Sequence, residues 1–458
     1  MYLRAFSIFL TFRLSDFRTF SCRLLAILLV AFMVPEAVAQ KPKQVLPLGV
    51  ERGKITYNPD TVTGDRVPDF SYCGYKASEE EIPFIPVKVI VPEIKGDATH
   101  AIQSAIDRVA EMPLDEKGFR GAVLLSKGTY IVNGTLKIAA SGIILRGFGA
   151  QGQTVILGTG ADRDGLIRIV GKNDKKTGAE KNISQKYVPV GAASFRINDA
   201  SGLQAGDRVT IKRPSTKEWI EVLGTESFGG GISALGWKPG DVDISFDRTI
   251  TGISGNEITV DVPLTTSLDE KYGGGTIAAY EWPGRISSIG IENLTLLSAF
   301  DAANPRDENH RWMAITIDNA EDAWIRQLSF KHFAGSAVYI SETAKKITVE
   351  DCISTHPVSE IGGQRRNTFF TRGQQTLFQR CFAAGGYHDY SAGHGTAGPV
   401  AFVQCVSERP YSFSGTTGMW ASGVLFDIVI VDGNAIRLGN RGQNGNGAGW
   451  SGANSFLW

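Results

Sequence analysis

The chain has 458 residues, 42% of them apolar, with 47 basic and 47 acidic residues and no formal net charge. That much apolar material builds one or two substantial cores, which excludes a disordered tail and a mini-protein dependent on staples. The charge balance excludes wholesale binding to nucleic acid or an acidic membrane, and 53 glycines beside 24 Phe and only 5 Met favour turns and sheet over helical bundles.

At the N-terminus, Arg4, Arg13, Arg18 and Arg23 lead into an apolar run from Leu24 to Val34, which ends at Ala37-Val38-Ala39. A basic region, an apolar region and small residues are the parts of a signal peptide. Residues 1–39 are therefore expected to be removed near Ala39, leaving a secreted or periplasmic chain of residues 40–458. The apolar run of 11 residues falls short of the ~20 needed to span a bilayer, so no retained transmembrane span is expected. The remaining cysteines, Cys73, Cys352, Cys381 and Cys405, show no zinc-site spacing.

The segment Asp97 to Met112 carries an apolar stripe of Ala101, Ile102, Ala105, Ile106 and Val109, with Asp97 or Thr99 as cap, and predicts the one clear helix. GAVLLSKGTYIVNGTLKIAASGIILRGFG (121–149) then alternates strands with glycine turns. From 190 to 282 the rhythm changes to longer strands that read as antiparallel, with a hairpin at Ser254-Gly255-Asn256, and this stretch predicts a β-rich insertion. Trp219, Trp237 and Trp282 can pack locally or stack on sugar rings there, and the 190–282 segment, an insertion or a very long coil with a Gly- and Trp-containing loop from Gly224 to Asp241, is expected to overhang the face of the main body.

Beyond Ile289 a short-strand phrase recurs: GIENLTL, WIRQLSF, TVEDCIS, LFQRCFA, AFVQCVS and LFDIVIV. A polar corner residue precedes each anchor, and the anchors Leu294, Leu328, Cys352, Cys381, Cys405 and Ile428 step by 34, 24, 29, 24 and 23 residues. A period in the low twenties with several short strands per repeat predicts a parallel β-solenoid. The repeated cysteines then stack inside it as reduced, small hydrophobic side chains. The terminal NRGQNGNGAGWSGANSFLW ends without an amphipathic cap, which leaves a truncated coding sequence as one expectation.

Together, DFSYCGYKASEEEIP (69–83), the DATHAIQSAID helix, GAVLLSKGTYIVNGTLKI and the later coils resemble the pectate-lyase-like superfamily of secreted bacterial β-helix proteins that process polysaccharides. The resemblance runs over nearly the whole mature chain. It implies an all-β, right-handed parallel β-helix with an N-terminal capping helix, a β-rich insertion and a groove along an outer parallel sheet. That superfamily includes lyases, hydrolases, epimerases and non-catalytic binders. Neither an Asp-Asp pair with a Gly-His motif nor an Asp-rich calcium cluster with paired arginines maps onto this chain.

Equal offsets from successive anchors nominate stacked side chains. Offset +4 gives His332, His356, Gly385 and Arg409, and offset +8 places Glu360 and Asp389 in one column. Carboxylates about 5 Å apart suit a retaining glycosidase. The segment Gly385 to His394 holds Tyr387, His388, Asp389, Tyr390 and His394, a concentration suited to proton transfer.

One scheme is β-elimination on a uronate-containing glycan. In it His388 or Tyr387 is the base, Arg365 or Arg409 binds the carboxylate, and Tyr390 or His394 protonates the leaving oxygen. Hydrolysis by Glu360 and Asp389 is the alternative enzyme, and a non-catalytic glycan-binding or adhesive module is the third reading. His332 and His356 would extend the binding groove. No cofactor is expected. The Asp307 to Arg311 run can attract Ca2+ but lacks an ordered ligand spacing. The expected partner is an acidic polysaccharide or oligosaccharide bound by a monomer.

Overall fold

The computed structural model describes residues 46–228 and 235–458, and the predicted signal segment, 1–39, lies outside the described residues. Pro47–Trp458 forms one compact unit. Its strands make three parallel sheets that the chain visits in turn, so each coil contributes one strand to each sheet. Strands Ile286–Glu292, Thr295–Ser298 and Met313–Asp318 make one such coil. The next runs through Ala320–Arg326, Ser329–Lys331 and Val338–Ile340. This is the right-handed parallel β-helix that the resemblance implies.

The corner residues explain the repeat. Asn293, Gln327, Asp351, Arg380, Gln404 and Ile428 all have φ between 51° and 60°, and each turns the chain from the first sheet to the second. The next residue then points inward: Leu294, Leu328, Cys352, Cys381 and Cys405 are at most 2% exposed. In the last coil the predicted anchor is one residue early. Ile428 is itself the corner, 59% exposed, and Val429 packs on the core. All four described cysteines are buried and unpaired, so the three repeated ones stack as thiols inside the coils.

The helix Thr99–Ala110 buries Ile102, Ala105, Ile106 and Val109 against strands of the first and third sheets, covering the N-terminal end of the coils. Asp97 Oδ1 accepts from the Thr99 amide at 3.0 Å, holding its first turn. Such a helix shields unpaired strand edges from other chains. The outer face of the first sheet is covered in part by Tyr75, Ile85 and Phe119, with Tyr75 packed edge-on to Trp324 at 5.1 Å.

The insertion leaves after the third-sheet strand Gly165–Val170 and returns at Ile286. It is a seven-stranded antiparallel sheet around Phe195, Val209, Phe246, Ile258 and Ile277, and its first strand, Lys176–Thr177, precedes the expected start at residue 190. The hairpin falls as expected: Ser254 pairs Glu257 around Gly255, whose φ of 61° suits the turn. A buried ion network fastens the insertion to the first sheet. Asp247 accepts from Lys345 at 2.7 Å, Arg285 at 2.6 Å and Tyr280 at 2.7 Å, while Arg208 reaches Glu321 at 2.6 Å. Burial alone would raise the Asp247 pKa, but Lys345 and Arg285 hold it well below the usual carboxylate range.

Candidate functional site

Two adjoining cavities open where the third sheet turns into the first. The larger, about 730 Å3, lies on the outer face of the third sheet, between Tyr339, Asn367, Phe370 and His388 and a C-terminal wall containing Arg437 and Arg441. The smaller, about 450 Å3, lies beneath the insertion and is lined by Lys175, Asp241, Asp243, Asp247, Trp282 and Glu342. Arg372 and His394 line both.

The strand His388–Ala392 divides the predicted catalytic segment between two environments. His388 faces the groove. Its Nδ1 lies 2.6 Å from the Phe413 carbonyl oxygen, which can only accept, so Nδ1 carries the proton and Nε2 keeps its lone pair. Burial lowers its pKa to about 4, keeping the ring neutral near pH 7. The Tyr387 ring meets it edge-on at 4.5 Å, and Phe413 packs on it at 4.5 Å. His394 lines both cavities, with its backbone in the left-handed region (φ 54°). Its side chain is open to solvent, yet desolvation by the cavity walls, followed by the Arg372 charge, lowers its pKa.

Asp389 and Tyr390 turn inward, both with 0% exposure. Asp389 accepts from Thr368 Oγ1 at 2.5 Å and Ser407 Oγ at 2.6 Å, and burial raises its pKa. The Tyr390 hydroxyl is 2.8 Å from the Cys381 carbonyl oxygen and its ring stacks on Phe369 at 5.6 Å. Neither side chain reaches a polymer outside the coils. Glu360, the expected partner of Asp389, is exposed and lies 3.4 Å from Arg306. The sequence register placed these carboxylates in one column; the structure puts one inside the β-helix and the other outside.

The predicted binding residues lie elsewhere. Arg365 is held by Glu308, with Nη2 to Oε2 at 2.9 Å, and sits over Trp312 at 5.5 Å. His332, His356 and Arg409 do form the expected column, but at the corner between the second and third sheets. With Gly385 they share φ values of 50° to 74°. His332 rests on Phe300 at 4.8 Å, and Arg409 is exposed beside Glu408 at 3.1 Å. None lines either cavity. Trp219 and Trp237 are 4% and 3% exposed and pack together with Trp420, which removes them as sugar platforms. Trp282 remains at the smaller cavity.

The residues that complete the groove escaped the sequence reading. Arg437 ends the last third-sheet strand, and Arg441 follows in the Gly/Asn-rich tail. Both guanidinium groups sit over Phe413, at 5.7 and 5.2 Å, and among the described residues neither has an acidic partner. Burial, then the neighbouring Arg437 charge, lowers the Arg441 pKa. No Asp or Glu lines this groove. The only signal in the sequence was spacing, since Arg437 pairs with Gly415 one coil below.

Among the described residues no group of three or more His, Cys, Asp or Glu side chains is placed to hold a metal ion. No described helix is long and apolar enough to cross a membrane.

No family model and no curated protein matches the chain. Among solved structures, the tailspike protein gp49 from Pseudomonas phage LKA1 is 15% identical with a TM-score of 0.43, over 74% of this chain and 55% of that one. Geobacillus virus E2 ORF18 is 12% identical with a TM-score of 0.38, over 90% and 66%. The A-module of the Azotobacter vinelandii mannuronan C-5 epimerase AlgE6 is 13% identical with a TM-score of 0.30, over 74% and 66%. The chain thus spans about half the length of the first and just under two thirds of the others. The parallel coils, rather than these likenesses, carry the fold assignment.

Proposed function

We propose that the protein is a polysaccharide-processing enzyme that cleaves an acidic, uronate-containing glycan by β-elimination in the third-sheet groove. The observation that carries this reading is the pair of guanidinium groups, Arg437 and Arg441, set over Phe413 with no acidic partner. Two adjacent cations repel one another, and an anion between them relieves that cost. The groove is open enough for a sugar chain and carries aromatic walls at Tyr339 and Phe370, whose rings lie 5.4 Å apart.

In this scheme the arginine pair binds the uronate carboxylate by charge-assisted hydrogen bonds. His388 Nε2 takes the proton alpha to that carboxylate, and the arginines stabilise the charge that develops. The bond from the β carbon to the glycosidic oxygen breaks as a carbon–carbon double bond forms, and Tyr387 protonates the departing oxygen. Proton transfer from the His388 imidazolium to the tyrosinate restores both groups. Paired-carboxylate hydrolysis by Glu360 and Asp389 finds no support, because Asp389 is sealed inside the coils.

The test is incubation with a panel of uronic-acid and neutral polysaccharides, followed by mass spectrometry. Elimination leaves an unsaturated end, whereas hydrolysis adds water. Acidic polymer returned intact but retained by the protein would favour a binding module.

A further inference from the structure

The two cavities differ in charge although they share Arg372 and His394. In the third-sheet groove the ionised side chains are all arginines, Arg372, Arg437 and Arg441. Beneath the insertion, four carboxylates, Asp241, Asp243, Asp247 and Glu342, face two cations, Lys175 and Arg372. Those cations are engaged. Lys175 Nζ donates to Thr210 Oγ1 at 2.7 Å and sits 4.0 Å over Tyr280, and Arg372 pairs with Glu342 at 3.3 Å. Asp247 and Asp243 are held by Lys345, Arg285 and Lys212. Asp241 is exposed and, among the described residues, has no ion pair. A sugar carboxylate entering here would meet the uncompensated Asp241, and as cations only Arg372, already paired with Glu342, and Lys175, which has no ion pair among the described residues but is bonded to Thr210 and covered by the Tyr280 ring.

What the smaller cavity does offer suits a neutral sugar. Asp241 and Glu342 are exposed acceptors for hydroxyl groups. Half-buried Trp282 supplies an aromatic wall, its indole nitrogen fixed on the Lys172 carbonyl at 2.8 Å and its ring braced by Arg285 at 4.7 Å. Resting on the elimination reading above, we infer that the cavity beneath the insertion is a second subsite that takes a neutral, hydroxyl-rich residue of the same polymer. The preferred substrate then alternates charged and neutral sugars, with the chain passing His394 and Arg372 between the two cavities.

The test compares two classes of probe on the purified protein. Polygalacturonate and polymannuronate carry a carboxylate on every residue. Hyaluronan, unsulfated chondroitin and the rhamnogalacturonan backbone alternate a uronate with a neutral sugar. Formation of unsaturated ends should favour an alternating polymer by about tenfold or more in kcat/KM, the scale of one lost aromatic contact. Trp282→Ala should erase that preference by slowing only the alternating substrate, and Trp282→Phe should restore part of it. Arg441→Gln should slow both classes. Equal turnover of the two classes, or equal loss of both in Trp282→Ala, overturns the alternating assignment while leaving elimination intact. Absence of unsaturated ends and of binding across every polymer defeats the elimination reading, and this inference with it.

Discussion

His332, His356 and Arg409 climb one corner of the β-helix, while Asn367 and His388 climb the face of its third sheet. Both columns obey the same register: Lys331 pairs with Thr355 just before the first, and Asn367 pairs with His388 within the second. Only the second is enclosed. The corner column holds left-handed φ values and lines neither of the two cavities. The sheet column is walled by the Arg437 to Asn446 tail and adjoins the insertion, both outside the regular repeat. A solenoid register therefore predicts which side chains stack, whereas the outer walls that turn a stacked column into a cavity come from the irregular additions.

The sharpest way to break this contrast is to remove the group that enclosure changes most. His388→Ala should lower turnover of an acidic glycan by roughly 10²-fold or more, the usual worth of a general base, with a smaller effect on binding. A second consequence follows from its pKa. Burial favours the neutral ring, so between the ordinary value of 6.5 and the folded value of about 4 the unfolded chain binds more protons. Stability from this residue is full above 6.5, declines as pH falls through that window, and levels off below it. Thermal melts of His388→Gln against the parent across that range should show a shallower acid decline. Identical slopes, with undiminished turnover, would remove His388 from both roles.

Arg437→Gln with Arg441→Gln comes next. Loss of two charge-assisted contacts, each about 1.5–3 kcal/mol, should raise KM for an acidic polymer by at least tenfold. The pair lacks an acidic partner, so relief of repulsion offsets the loss of the Arg441 hydrogen bond to the Thr417 carbonyl, and the melting temperature should change little. A fall in stability with unchanged KM would show that the arginines hold the tail in place rather than a ligand.

How far the sequence carried this picture depends on the local geometry. The coil anchors, the helix over Ile102 to Val109 and the hairpin at Gly255 were legible because each rests on a short-range pattern: a period, an apolar stripe or a turn glycine. The corner column was legible too. What misled was the 29-residue interval between Cys352 and Cys381: its extra residues lie ahead of the third-sheet strand, so Asp389 falls beside Thr368, between the pairs Asn367–His388 and Phe369–Tyr390, rather than beside Glu360. Arg437 and Arg441 were hidden in a segment whose glycines and asparagines read as turns. The insertion was recognised by its longer strands, but Lys176–Thr177 and Lys181–Asn182 are too short to show a pattern of their own.

The inward turn of Asp389 gives a third, smaller effect. Asp389→Ala leaves the Thr368 and Ser407 hydroxyls without their acceptor inside the coils, a loss of about 1–3 kcal/mol in denaturant unfolding. Turnover per folded molecule should hold. Glu360→Gln touches only an exposed pair and should change neither quantity by more than about 1 kcal/mol. A large loss of turnover in both variants with stability intact would restore the paired-carboxylate scheme.

The smallest expected effect tests the corner column itself. His356 and Arg409 hold φ values of 55° and 50°, a conformation that costs a side-chain-bearing residue about 1–2 kcal/mol and that glycine adopts freely. The same column already uses glycine at Gly385, with φ 74°, and Gly433, with φ 92°, continues it. Replacing His356 or Arg409 by glycine removes strain but adds freedom to the unfolded chain, so the two contributions oppose each other. The net change should be stabilising by under about 1 kcal/mol. Binding and turnover of acidic glycans should be untouched, because neither side chain faces a cavity. If Arg409→Gly instead weakens an acidic polymer tenfold, the ligand path runs along the open corner, and enclosure by the irregular additions is not what defines the site.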